Sequence, residues 1–231
     1  MILSGHQPAY LPWLGLFHKM TLADEFCVLD TVAYSKDFIN RNSIKTAQGA
    51  LLLTVPVDAH GAKPIRDVRI QEGVWRRKHL RSIVNAYAKA PYFEQYAPPI
   101  LGAIAKPYTF LTELTNDLLR SLSEALGLRA RIFAASDYDF VGAKSEYVLE
   151  LCRRLGATAY VFGSQGRNYV DEQLLRAGGV EPIFQEYVHP VYRQAHRPFI
   201  PRLSVVDLLF NEGPRSLDIL CRNNQAKVSF L

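Results

Sequence analysis

Cysteine is scarce in this sequence: there are three in 231 residues, Cys27, Cys152 and Cys221. They lie far apart and form none of the short pairs that zinc sites and redox motifs use, which excludes a disulfide framework and a thiolate metal centre. A reducing, cytoplasmic setting is expected. No run of about 18 apolar residues occurs, which excludes a helical membrane span. The opening stretch MILSGHQPAYLPWLGLFHKM lacks the basic head, the unbroken apolar core and the cleavage site of a secretion signal, so it is expected to belong to the folded body. Equally missing are the Walker A loop, G-x-G-x-x-G, G-x-S-x-G and H-E-x-x-H. The six histidines are scattered without helical pairing, so no metal site is expected.

What is present is an ordinary globular composition, 48% hydrophobic and 21% charged. The length permits one large domain or two small ones. No repeat, low-complexity tract or linker divides the chain, so residues 1–231 are expected to form a single α/β domain. The net charge of +5 favours anionic partners such as phosphorylated small molecules or nucleic acid. The basic residues are dispersed through WRRKHLR at 75–81, Arg129, Arg131, Arg153, Arg154, Arg193 and Arg197 and read mostly as solvated surface.

Apolar spacing predicts a strand in MILSG, a helix in WLGLFHKMTLAD and a second strand in EFCVLD. Strand, loop, helix and strand in so short a span is a parallel crossover unit, whose ligands bind beyond the carboxyl ends of the strands. ALLLTVPVDAHG reads as a strand entering a turn, and IRDVRIQEG alternates as a half-buried strand. A helical middle follows over about 75–127, with one helix ended by Pro91 and a longer one in YTFLTELTNDLLRSLSEALG stopped by Gly127. From 143 a second crossover unit appears: helix, strand ATAYVFG, loop SQGRN, helix YVDEQLLRAGG and strand VEPIFQEY. The pattern predicts a parallel sheet with helices on both faces, Rossmann-like, built from distant parts of the chain.

Four clusters carry the polar chemistry. In GHQPAYLPW, His6 with Gln7, Tyr10 and Trp13 occupies a loop shaped by glycine and proline, where an imidazole can act as acid or base. YSKDFINRNSIK gathers Lys36, Asn40, Arg41, Asn42 and Lys45, with the Arg41 fork suited to phosphate or carboxylate. In YVFGSQGRNYV, Gly163, Ser164, Gly166, Arg167 and Asn168 make a strand-to-helix turn that a ligand can approach closely. The fourth cluster holds His189, Tyr192 and Gln194, then Ser204 as a helix cap with Asp207 placed to complete it reciprocally. His6, Arg41, Lys45 and His189 are the expected catalytic groups, and the others are expected to bind substrate or nucleotide. The expectation requires all four clusters to meet at one rim of the sheet around His6.

Taken in order, HQPAYLPWLG, NRNSIK, LLTVPV, YAKAPYF, YVFGSQGRNYV and HPVYRQ with FIPRLSVVDLLFNEG closely resemble the WbqC-like family of bacterial proteins, over residues 5 to about 213. That resemblance implies surface-polysaccharide (O-antigen) or natural-product biosynthesis and an amide-forming transferase that attaches glycine or another amino-acyl group to a small, nucleotide-linked amine. The opening strand, histidine loop and helix are also similar to nucleotidyltransferase-like proteins of the pantothenate synthetase type. This second similarity implies ATP with magnesium, an acyl adenylate, His6 on phosphate, Arg41 and Lys45 against developing charge, and residues 163–168 on the nucleotide. Those enzymes carry two histidines in the loop, whereas here His6 stands alone and His18 falls on the helix. Two other readings are an aminoacyl transferase that draws on charged tRNA, supported by the basic surface alone, and a non-catalytic nucleotide-sugar binding protein.

Overall fold

The computed structural model of the chain describes residues 1–59, 61 and 63–230, the side chain of Val228 excepted. Five parallel strands form the central sheet: β1 (Ile2–His6), β2 (Glu25–Val28), β7 (Arg131–Ala134), β8 (Ala159–Phe162) and β9 (Glu181–Phe184), in the order β7-β2-β1-β8-β9. The other strands form two separate ladders: β3 (Arg41–Thr46) pairs antiparallel with β4 (Gly49–Thr54), and β5 (Val57–Asp58) with β6 (Arg69–Ile70). The helices are α1 (Leu14–Thr21), α2 (Trp75–Tyr87), α3 (Phe93–Ala105), α4 (Leu111–Ala125), α5 (Lys144–Leu155), α6 (Glu172–Ala177), α7 (Val205–Glu212) and α8 (Ser216–Cys221).

The period-two alternation of the strands sends successive side chains to opposite faces. Phe26 and Val28 of β2 enter the larger core with α1, α2, α3, α4 and α7. Leu3, Cys27, Phe133, Tyr160 and Phe162 face the smaller core under α5 and α6. Helices therefore cover both faces, as parallel strands that are apolar throughout require. Gly5 belongs to this packing, because a Cβ there would stand 2.7 Å from the Tyr160 hydroxyl.

The sheet is parallel and covered by helices as expected, with four differences in detail. RIFA, read only as part of a basic segment, is the strand β7. Residues 41–46, for which the sequence predicts no element, are one arm of a hairpin closed at Gly49, whose φ of 121° glycine adopts without a Cβ clash. The middle holds an additional helix, α3, which contains Pro98 and Pro99 while Ala97, Ile100 and Ile104 are buried. Prolines remove helix hydrogen bonds and so disguise the period, but burial of the apolar stripe outweighs them. The strand expected in IRDVRIQEG shrinks to β6, preceded by a 3-10 turn at Ile65–Asp67. The turn expected at the end of ALLLTVPVDAHG includes His60, outside the described residues. Among the described residues, no helix is long and apolar enough to cross a membrane.

Candidate functional site

The sheet order reverses between β1 and β8, the two strands that open the crossover units. In doubly wound sheets this switch point leaves a crevice beyond the carboxyl ends, because the flanking connections depart to opposite faces. Ser4 pairs with Val161, and its hydroxyl donates to the Val161 carbonyl at 2.8 Å. Continuing that register by two residues sets His6 opposite Gly163. Nothing lies within 4 Å of the position a Gly163 Cβ would take, so the turn presents open backbone on the side of β8.

His6 is half-buried, and its Nδ1 lies 2.7 Å from the Gln7 carbonyl. A carbonyl only accepts, so Nδ1 carries the proton and donates, which leaves Nε2 of the neutral ring as an acceptor. Burial, helped by the charge of Lys19, holds the imidazole down at about 4, so it is neutral at physiological pH. Lys19 rises from the last turn of α1, is only 5% exposed, and donates from Nζ to the Gly5 carbonyl at 2.6 Å. Desolvation lowers its ammonium to about 7.

A second polar centre lies elsewhere, under α7. The Asp207 carboxylate, fully buried, accepts from the Tyr87 and Tyr192 hydroxyls and from Gln194 Nε2, each at 2.9 Å. Desolvation raises its pKa against those three donors and the nearby Lys45 charge. Lys45 donates to the Pro198 carbonyl at 2.7 Å, and its backbone N–H donates to the Tyr87 hydroxyl. Above the hub, Tyr192, Arg193, Gln194, His196 and Arg197 line a cavity of about 710 Å³.

Residues 7–219 match the WbqC-like protein family. The chain is also 35% identical over 225 residues to the uncharacterized protein Rv1507c of Mycobacterium tuberculosis, an alignment that covers 94% of this chain and 96% of that one. The chain belongs to the WbqC-like family. No solved structure matches it. The family match takes in Lys19, Gly163 and Asp207 and begins one residue after His6.

Within this WbqC-like chain the four expected clusters do not converge on one rim. His6 ends β1 beside β8, which leads into the 163–168 turn, whereas Lys45, Tyr192, Gln194 and Asp207 meet at the buried hub. The second cluster braces the His6 loop from behind: the Tyr10 N–H bonds the Phe38 and Ile39 carbonyls, and Asn42 Nδ2 donates to the Leu11 carbonyl at 2.6 Å. That bond holds Leu11 at a φ of 45°, a strained conformation for a side chain branched at Cγ. Asn40 and Asn42 are buried in backbone bonds, Asn40 with Val55. Arg41 starts the hairpin beside Asn40, while Lys36 is exposed.

Several expected roles are corrected by their surroundings. Tyr10 is fully buried, with its hydroxyl on His79 Nδ1, which leaves it no ligand-facing group. Trp13 lies over Gly15, where a Cβ would be 2.3 Å from the indole, and meets Tyr187 edge-on. His189 spends both ring nitrogens: Nδ1 donates to the Pro190 carbonyl, and Nε2 accepts from the Arg202 N–H. It is therefore a brace for its loop and has no free nitrogen for acid or base work. Lys45 is likewise consumed by Pro198 and the hub. The neutral His6 ring keeps an unprotonated Nε2, so it suits proton abstraction better than the expected phosphate contact.

Gly166 is buried because Phe162 fills its Cβ space at 2.7 Å, a packing requirement. Ser164–Asn168 form a 3-10 turn, and the next α-helix starts only at Glu172, capped by Asp171. Asn168 bonds Gln165, and Arg167 pairs with Glu186 while lying over the Phe184 ring. Ser204 does cap α7 through the Val206 N–H, but Asp207 does not reciprocate, because its carboxylate is turned to Tyr87 and Tyr192. The Ser204 N–H bonds Ser43 instead.

The rim does not fit a protein-held magnesium. Asp30, at the end of β2, spends both carboxylate oxygens on Ser136, and Glu186 is taken by Arg167. Among the described residues, no group of three His, Cys, Asp or Glu side chains could hold a metal ion. Magnesium needs oxygen ligands, so here it would have to arrive on a ligand's own phosphates.

Proposed function

We propose that the chain is an amide-forming transferase that moves glycine or a related amino-acyl group from an activated donor to a small, nucleotide-linked amine, with the reacting groups in the β1/β8 crevice. The observation that carries the reading is the placement of His6 Nε2, unprotonated, at a switch point opposite the open backbone of Gly163. Amide formation asks for such a group. As the amine nitrogen attacks the acyl carbon, the new C–N bond makes the nitrogen cationic, and its proton must leave before the intermediate collapses. His6 Nε2 accepts that proton, the bond from carbon to the leaving oxygen breaks, and the donor's remnant departs as an alcohol or phosphate. An imidazole already neutral needs no prior deprotonation, although its low basicity limits the help it gives.

The pairing of Arg41 with Asn40 and the distance of Lys45 from this rim leave charge stabilisation to groups nearer β1. An acyl adenylate formed from ATP is the donor that the nucleotidyltransferase-like opening favours. The deciding experiment incubates the purified protein with ATP, glycine and a panel of nucleotide-linked amino sugars. AMP and pyrophosphate release with amide product is the expected result, lowered by roughly a hundredfold in His6→Ala, as for loss of a general base. Bound nucleotide without turnover would leave a binding protein, and product only from charged tRNA would make the donor a tRNA ester.

A further inference from the structure

One buried lysine stands out among the described residues. Lys19 is 5% exposed, and among the described residues no carboxylate pairs with it; its Nζ donates to the Gly5 carbonyl and lies 6.0 Å from the centre of the Phe26 ring. Lys45, the other deeply buried lysine, contrasts with it, since the Asp207 carboxylate lies near enough to feel its charge. An ammonium has three donors, and removing it from water without a counter-charge is costly. Burial therefore brings the group down to about 7, and an anion docking beside it would restore the charge.

Position says what that is. Gly5 immediately precedes His6 in β1, so the ammonium stands near the carboxyl end of β1, close enough for its charge to act on the imidazole and beside β8, the strand that leads into the Gly163 turn. The imidazole cannot supply the balancing charge, being neutral with its proton turned to Gln7. We propose that Lys19 holds a phosphoryl oxyanion of the ligand, its two remaining N–H groups donating to the phosphate oxygens at the floor of the β1/β8 crevice. A lysine serves phosphate as a compact point charge, whereas a planar carboxylate is better matched by an arginine fork, and Arg167 of the neighbouring turn is already paired with Glu186. The inference rests on the transferase reading for the ligand's position and not for its chemistry. It also gives α1 a purpose beyond packing, since that helix is buried along Leu14–Met20 yet carries a charge among apolar neighbours.

The test needs no turnover. Pyrophosphate, ATP and acetate are titrated by calorimetry into the full-length protein and into Lys19→Met and Lys19→Arg, with thermal unfolding recorded for each. The expected result is binding of pyrophosphate and ATP but not acetate, weakened by roughly tenfold or more in Lys19→Met and partly retained in Lys19→Arg. Without ligand, Lys19→Met should melt at or above the wild-type temperature, because it removes a desolvated charge that lacks a partner. A merely structural lysine predicts the opposite shift. Should Lys19→Met fail to fold, Lys19→Gln, whose amide can still donate to Gly5, takes its place. Unchanged pyrophosphate and ATP affinity in these variants, no binding by the wild type, or preferential binding of acetate overturns the inference. Phosphate binding through Lys19 with no amide formed would instead remove the transferase reading and leave this one standing.

Discussion

Burial moves the proton equilibria of both His6 and Lys19 away from their ordinary values, with the Lys19 charge adding to the shift at His6, and this can be read directly. The His6 imidazole should titrate near 4 in proton NMR, and in Lys19→Met its pKa should rise while staying below 6.5, since burial is the larger cause and Lys19 the smaller. Lys19 makes a separate prediction for stability. Its pKa falls from 10.5 in the unfolded chain to about 7 in the fold, so the unfolded chain holds the extra proton between those values. Stability should therefore increase with pH across that window, by up to about 1.4 kcal/mol per unit, and the penalty is fully present below pH 7. Urea titrations of the wild type and Lys19→Met at pH 6 to 10 check this, the variant lacking that part of the rise. His6 was legible in the sequence because glycine and prolines bracket a polar pair. Lys19 was not, because lysines on helices normally reach solvent; the available signal was the lack of any polar face from Leu14 to Met20.

Elements meet at single residues whose removal should be felt beyond them. Helix α7 is bound to α2 and to the 191–200 loop through the Asp207 carboxylate. Asp207→Ala strands two tyrosine hydroxyls, an amide and the Lys45 charge together, and should cost about 3–5 kcal/mol in urea unfolding. Strand β1 makes a similar demand on its other face. Gly5→Ala should cost about 1–3 kcal/mol by overpacking against the Tyr160 hydroxyl, and Tyr160→Phe in the same chain should recover part of it. A double-mutant cycle measures that recovery; none at all would show that the Cys27 carbonyl, 3.0 Å from the same Cβ position, sets the cost. The strands of the crossover units were legible as apolar runs, while β3 was hidden by the polar residues of RNSIKT, whose burial comes from chain-distant partners such as the Tyr87 hydroxyl of α2 and the Leu11 carbonyl.

Across the whole molecule the sheet separates two apolar cores, and its central strands are protected on both faces and both edges. β1, β2 and β8 each pair with strands on either side, whereas β5 and β6 share a two-residue ladder. Native-state hydrogen exchange should accordingly be slowest in β1, β2 and β8 and faster by orders of magnitude in β5 and β6. The same arrangement accounts for the division of the polar clusters. Strand ends can share a rim only if their connections let them, and the hairpin β3–β4 carries Lys45 away from the sheet toward α7.

The sequence by itself determined the α/β class, the crossover units at both ends and the polar loop after the first strand, since each follows from local periodicity and from what glycine and proline permit. Only the tertiary structure decided which polar groups keep a free atom. Spacing along a chain cannot reveal that His189 and Asp207 are fully engaged by distant backbone and side chains, or that Lys19 is engaged by almost nothing, because hydrogen-bond satisfaction and desolvation depend on neighbours brought in by folding.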